Sequence, residues 1–154
     1  MFERFSRSAR ATVKRAQRVA AEEGAGSVEA EHLLLALTQQ ASDRTARALH
    51  ALSVTDVTVR AALDREFADA LRAVGVVAPV GPGPSSGLTT STPRWGQSAK
   101  LALMRTLQVA LDRGHKRIED HHILLALTHA EAGVIPRVLR TLDISASDIE
   151  AALR

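Results

Sequence analysis

Apolar residues recur at helical spacing along most of the chain, and the same spacing returns ninety positions later. Ala9, Val13, Ala16 and Ala20 share one face of a first helix, with Ser6 or Ser8 as its cap and Gly24-Ala25-Gly26 as its end. A second helix begins near Val28 to Glu31, with Ser27 as the expected N-cap, and buries Leu33, Leu34 and Leu37. After a turn at Ser42-Asp43, a shorter helix carries Ala46, Leu49 and Leu52. A fourth starts at Thr55 or Asp56 and places Val59, Leu63, Phe67 and Leu71 on its apolar face.

From Gly75 to Pro93 the pattern breaks into a Pro-, Gly- and Ser-rich stretch, where proline removes donors and glycine raises the entropy cost of ordering; it reads as a linker over 73–94. Beyond it the first half returns without a gap. Phe5 becomes Trp95, Gly24 becomes Gly114, His32 becomes His122, Leu49 becomes Leu139, and Ala61-Ala62-Leu63 becomes Ala151-Ala152-Leu153. Residues 1–64 and 91–154 share 20 identities, against about five expected by chance in a chain so rich in Ala and Leu. The expectation is one all-α domain over 1–154, built as a duplicated four-helix repeat of about eight helices. Repeat one covers 1–72 and repeat two 95–154, related by a pseudo-twofold axis.

Composition agrees with this. Of 154 residues 45% are hydrophobic, enough for a proper core, but they are Ala, Leu and Val with only three Phe, one Trp and no Tyr, a palette suited to close helix packing. The absence of cysteine excludes disulfides and thiol chemistry, and no run has signal-peptide or membrane-span character, so the expected location is cytoplasmic, without membrane contact. The formal charge is only +3. Arg4, Arg7, Arg10, Lys14 and Arg18 read first as the solvated face of helix one. The competing reading is a basic helical nucleic-acid-associated protein that uses them as a phosphate strip.

Three stretches carry a resemblance: Met1-Phe2-Glu3-Arg4-Phe5, Glu31-His32-Leu33-Leu34-Leu35-Ala36-Leu37, and Arg113-Gly114-His115 followed by His121-His122-Ile123-Leu124-Leu125-Ala126-Leu127. They resemble the N-terminal domain of the Clp AAA+ unfoldases, nearest the ClpC branch. The resemblance implies a non-catalytic receptor that passes substrate peptides and adaptors to an ATPase ring. No Gly-x-x-x-x-Gly-Lys-Ser/Thr loop is present for nucleotide, and no cofactor is expected. It also implies a phosphoarginine pocket per repeat, with a Thr near the first helix start and a Glu before the second helix. Repeat one keeps Ser6 and Glu31 at these places, whereas repeat two has Gly96 and His121, so the site is expected to be degenerate. A further implied surface is the one where cyclic peptide antibiotics lie across the two first helices. Its matching residues are Phe2, Arg10, Trp95 and Lys100, with Met104 adjacent. The chain begins at Met1 and stops just after the second repeat, so it is expected to be either an excised domain or, preferentially, a freestanding homologue. Such a homologue would sequester cyclic peptides or compete with a ClpC-type unfoldase for adaptors.

The remaining polar candidates have structural readings. His32 and His122 each follow an acidic turn and are expected to secure it by hydrogen bonds. His115, His121 and His129 match no metal-ligand spacing, and no metal is expected. Glu29, Glu31, Glu119 and Asp120 suit the positive end of a helix better than paired acid-base work, and Ser6, Ser8 and Ser98 suit caps better than nucleophiles. Of Phe2, Phe5 and Trp95, one or two are expected at the surface.

Overall fold

The computed structural model describes residues 2–77 and 91–154; the middle of the expected linker, 78–90, lies outside them. A 3-10 turn, Phe2–Arg4, leads into α1 (Arg7–Glu22), α2 (Ala30–Gln39), α3 (Asp43–Ala51) and α4 (Asp56–Ala73). Then follow α5 (Gln97–Asp112), α6 (Asp120–Thr128), α7 (Val134–Thr141) and α8 (Ala146–Ala152). The expected all-α duplication is there in detail. Helices α1 and α5 are offset by ninety, Gly24 and Gly114 end them at φ of 68° and 69°, and Ser53 and Asp143 both adopt φ of 56° before the last helix of each repeat.

The two Leu-rich helices form the centre. Leu33 to Leu37 of α2 and Ile123 to Leu127 of α6 are each at most 1% exposed, as expected of helices apolar all round. α1 packs on α2 and α5 on α6; α2 meets α6, while α3 meets α8 and α4 meets α7 across the repeats. The halves therefore share one core.

Several local expectations are corrected. Glu29, in extended backbone, is the N-cap residue of α2, and Ser27 instead lies in strand β1 (Ser27–Val28), which pairs in parallel with β2 (Arg94–Trp95). On α3, Thr45 and Ala48 point inward beside Leu49, while Ala46 is exposed. Phe67 is 64% exposed, because α4 buries only Val59 and Ala62, with Leu63 half-buried, and then runs beyond the core. Among the alternatives left open, Ser6 caps α1 by accepting from the Ala9 N–H at 3.2 Å, and Thr55 caps α4 by accepting from the Thr58 N–H at 3.2 Å.

Candidate functional site

Each first helix is anchored by the other repeat. Phe5 bridges Ile118: Ile118 N–H donates to Arg4 O at 2.9 Å and Ser6 N–H to Ile118 O at 2.8 Å. The equivalent junction pairs Trp95 with Val28, closed by Gly96 N–H donating to Val28 O at 2.9 Å. Phe5, 3% exposed, fills the first junction, and Phe2 stands edge-on to it with ring centroids 5.0 Å apart. Phe2 itself is 41% exposed and Trp95 half-buried.

These exposed rings frame a groove of about 530 Å³ lined by Phe2, Glu3, Arg10, Val13, Lys14, Gln17 and Trp95. Three of the four expected binding residues thus come together. Arg10 also supports the groove from within: its Nη2 donates to Phe2 O at 3.2 Å and holds the 3-10 turn that presents the ring. Lys100 lies exposed on α5 and is not part of the groove wall, and Met104 is likewise exposed on α5. Among the described residues, Trp95 alone lines the groove from repeat two.

The helix starts are arranged differently from the within-repeat pairing of Ser6 with Glu31. The Ser6 hydroxyl is engaged with Ser8 at 2.9 Å and with the Ala9 N–H, beside the turn that precedes α6. Glu31 lines another cleft, of about 670 Å³, with Ser98, Leu101, Arg105, Glu131 and Ile135, and Ser6 is not on its wall. In that cleft Glu29 reaches across to α5: its carboxylate accepts from the hydroxyl and N–H of Ser98 and from the Ser27 hydroxyl at 2.8 Å. Partial burial pushes the Glu29 carboxyl up, but these hydrogen bonds outweigh it and hold the group below its ordinary value. A Cβ on Gly96 would collide with the Glu29 carboxylate. The α5 start, where the resemblance implies a phosphate-holding Thr, is therefore filled by the protein's own carboxylate, and an anion could enter only by displacing Glu29.

His32 and His122 secure their turns. Glu29 N–H donates to His32 Nδ1 at 2.8 Å and Glu119 N–H to His122 Nδ1 at 2.9 Å, so each imidazole does the work usually given to a Glu or Gln in a capping box. The proton of each ring must then sit on Nε2. His32 donates it to Glu23 Oε2 at 3.1 Å, and His122 donates it to His115 Nδ1 at 2.7 Å. The hydrogen bond from His32, reinforced by Arg60, holds the Glu23 carboxyl below its ordinary range. The donor atoms of His115, His121 and His122 all lie within 4.8 Å of one another. Within the cluster His122 turns its Nε2–H to the His115 lone pair and its own lone pair to the Glu119 N–H, so these two rings form a relay. His129 sits apart, 3.5 Å from Glu150.

Sequence reasoning missed the role of Asp120. It is fully buried and accepts from Ser42 N–H at 2.6 Å, Ser42 Oγ at 2.8 Å and Thr45 Oγ1 at 2.9 Å, so repeat two caps α3 of repeat one. Ser42 is 78 residues away, and no local signal announces the pairing.

The comparisons agree with this architecture. The family described as the Clp repeat (R) N-terminal domain matches residues 4–90 and 94–154. The chain is 30% identical over 151 residues to the Porphyra purpurea ATP-dependent Clp protease ATP-binding subunit ClpA homolog, covering 98% of this chain and 17% of that protein. It is 29% identical over 146 residues to the Bacillus subtilis negative regulator of genetic competence ClpC/MecB, covering 94% of this chain and 16% of that one. The chain thus spans about a sixth of the length of such relatives. In fold it is similar to the N-terminal domain of ClpD from Arabidopsis thaliana, with a TM-score of 0.70, 21% identity, and coverage of 99% of this chain and 94% of that one. It is also similar to the Hsp104 N-terminal domain from Candida albicans, with a TM-score of 0.69, 15% identity, and coverage of 98% and 89%.

Proposed function

The chain belongs to the Clp N-terminal domain family, and on that premise we propose that it is a non-catalytic receptor for peptides and adaptors of the Clp protease system. The groove between Phe2 and Trp95 is its binding surface. The observation that carries this is the groove's chemistry: two aromatic rings, one 41% exposed and one half-buried, stand beside the cations of Arg10 and Lys14. Aromatic and Arg side chains are the residues that most often dominate peptide interfaces. A ligand that fits has an apolar anchor for the rings and an acidic or carbonyl-rich flank for the cations. Within this reading, the domain holds cyclic peptides that target ClpC-type domains or competes with a ClpC-type unfoldase for adaptors.

Calorimetry with a ClpC-directed cyclic peptide tests the proposal. Binding at micromolar concentrations, weakened about tenfold or more by Phe2→Ala and by Trp95→Ala, supports it. Lys100→Ala should leave affinity within about twofold, since an exposed charge off the groove contributes little. Absence of binding, or binding indifferent to both aromatic substitutions, refutes it. Arg4, Arg7, Arg10, Lys14 and Arg18 are all exposed, so a gel-shift series is the control: tight nucleic-acid binding with a steep salt slope would favour the phosphate-strip reading instead.

A further inference from the structure

On another side of the molecule a small cavity of about 140 Å³ lies between the start of α3, the end of α5 and α8, with Arg44, Arg113, His115, His121, Glu150 and Arg154 on its wall. We propose that this cavity is an oxyanion pocket that takes a carboxylate- or phosphate-sized group between Arg44, Arg113 and the His121 imidazole.

Three observations converge on it. First, His121 is 3% exposed, yet its Nδ1 has no hydrogen-bond partner among the described residues. Buried polar atoms are ordinarily satisfied, so an orphan of this kind needs a reason. Second, the wall is rich in cations. Arg44 spends only its Nε, on Leu153 O at 2.9 Å, and its terminal nitrogens have no protein partner among the described residues. Glu150, the single side-chain carboxylate among the described wall residues, is already shared by Arg113 at 3.3 Å and His129 at 3.5 Å. The other nearby acids are Asp120, consumed by Ser42 and Thr45, and Glu119, whose Oε2 lies 3.3 Å from His121 Nδ1. Burial pushes His121 down to about 4; the charge of Arg44 adds to this, the carboxylate of Asp120 opposes it, and His115 and Arg113 add smaller contributions in the same direction as Arg44. An anion at this place would relieve that potential.

Third, the duplication supplies an internal control. The repeat-one counterparts of Arg113, His115, His121 and Glu150 are Glu23, Ala25, Glu31 and Arg60. Repeat one has its ion pair the other way round, Arg60 to Glu23 at 2.7 Å, and a carboxylate where repeat two has the orphan imidazole. The repeat-two part of this wall thus differs in charge from its repeat-one counterpart, and repeat one adds Arg44 to it. A divalent cation is the poorer occupant, because the His122 and His115 lone pairs are spent on the relay and guanidinium groups flank the site.

The test is an NMR titration of the ¹⁵N-labelled chain, following imidazole and Arg Nε signals, with sodium phosphate against sodium chloride at matched ionic strength. The expected result is saturable movement of the His115, His121 and Arg44 signals in phosphate only, with those of His32 unmoved. Arg44→Gln, an exposed substitution, should weaken phosphate at least about fivefold, while Phe2→Ala and Trp95→Ala leave it unchanged. A capped tripeptide carrying phosphoserine separates the sources. If it binds more tightly than inorganic phosphate, the pocket reads a peptide side chain; if equally or less tightly, it holds the free ion. No saturable shift of His121 in phosphate, or equal affinity in Arg44→Gln, overturns the proposal. So does a response of the three imidazoles to zinc chloride without one to phosphate.

Discussion

Mild acid should destabilise this domain before its carboxylates begin to titrate, and the histidine cluster of repeat two sets the size of the effect. His121 and His122 are pushed from an ordinary 6.5 to about 4, in both cases first by burial; Arg44 adds to it for His121, and His121 and His115 for His122. A histidine lowered in this way is bound neutral by the fold, while the unfolded chain takes up a proton. Its contribution is complete above pH 6.5 and is lost as pH falls towards 4. For one such group the linkage relation gives a loss of about 1.8 kcal/mol between pH 7 and pH 5. Two independent groups would lose about twice that, but each ring's shift already contains the other's charge, so the expected loss is about 2 to 4 kcal/mol. Glu23 and Glu29 are held below their ordinary 4.5, so the stability they contribute is present above that value and lost below it, outside this window. Urea unfolding at pH 7, 6 and 5, in buffer without phosphate, measures the drop as a change in midpoint at constant slope. His121→Gln should remove about half of it. Stability level from pH 7 to 5, or a full drop surviving in His121→Gln, would refute the reasoning.

Asp120→Ala leaves the Ser42 N–H and the Thr45 hydroxyl without their buried acceptor, and should cost about 2 to 4 kcal/mol in urea unfolding while far-ultraviolet helicity at low denaturant is kept. Gly96→Ala forces Glu29 off the α5 start and should cost about 1 kcal/mol in the parent but much less in a Glu29→Ala background, a coupling that a double-mutant cycle reads directly. Exchanging the ion pair, Arg113→Glu with Glu150→Arg, places a carboxylate where His32 has Glu23. The midpoint of His122 followed by NMR should rise from about 4 towards the ordinary histidine range, and no movement would mean that burial and the neighbouring imidazoles set it.

The fold was legible where local pattern and burial coincide. Leu34-Leu35-Ala36-Leu37 and its copy at 124–127 announce the two central helices because both are apolar all round, and Gly24 with Gly114 mark ends that need positive φ. Periodicity failed at Phe67, since spacing says which residues share a face but not where the neighbouring helices stop; α4 outruns its partners and leaves the ring exposed. In the candidate groove, Phe2, Arg10 and Trp95 were named together by the family resemblance, and the structure places all three on one wall. Lys100, which the resemblance placed with them, is exposed on α5 and does not line this groove. What could not be read are the exchanges between repeats: Glu29 capping α5 and Asp120 capping α3 are each made across about half the chain, and only the folded geometry brings them together.

Those exchanges explain why the repeats diverged in charge while their apolar residues stayed alike. A leucine of α2 or α6 touches the shared core from both sides, so changing it costs packing in both halves at once. A polar residue at a helix start answers to one or two partners and can change if they change with it. Where repeat one gives the His32 proton to Glu23, repeat two has Arg113, which cannot accept it, and His115 takes over as acceptor. Glu150 in turn replaces Arg60 as the partner across the pair. The reversal keeps each turn tied down while inverting the order of charges along the ion pair, so that an arginine stands beside His122 where a carboxylate stands beside His32.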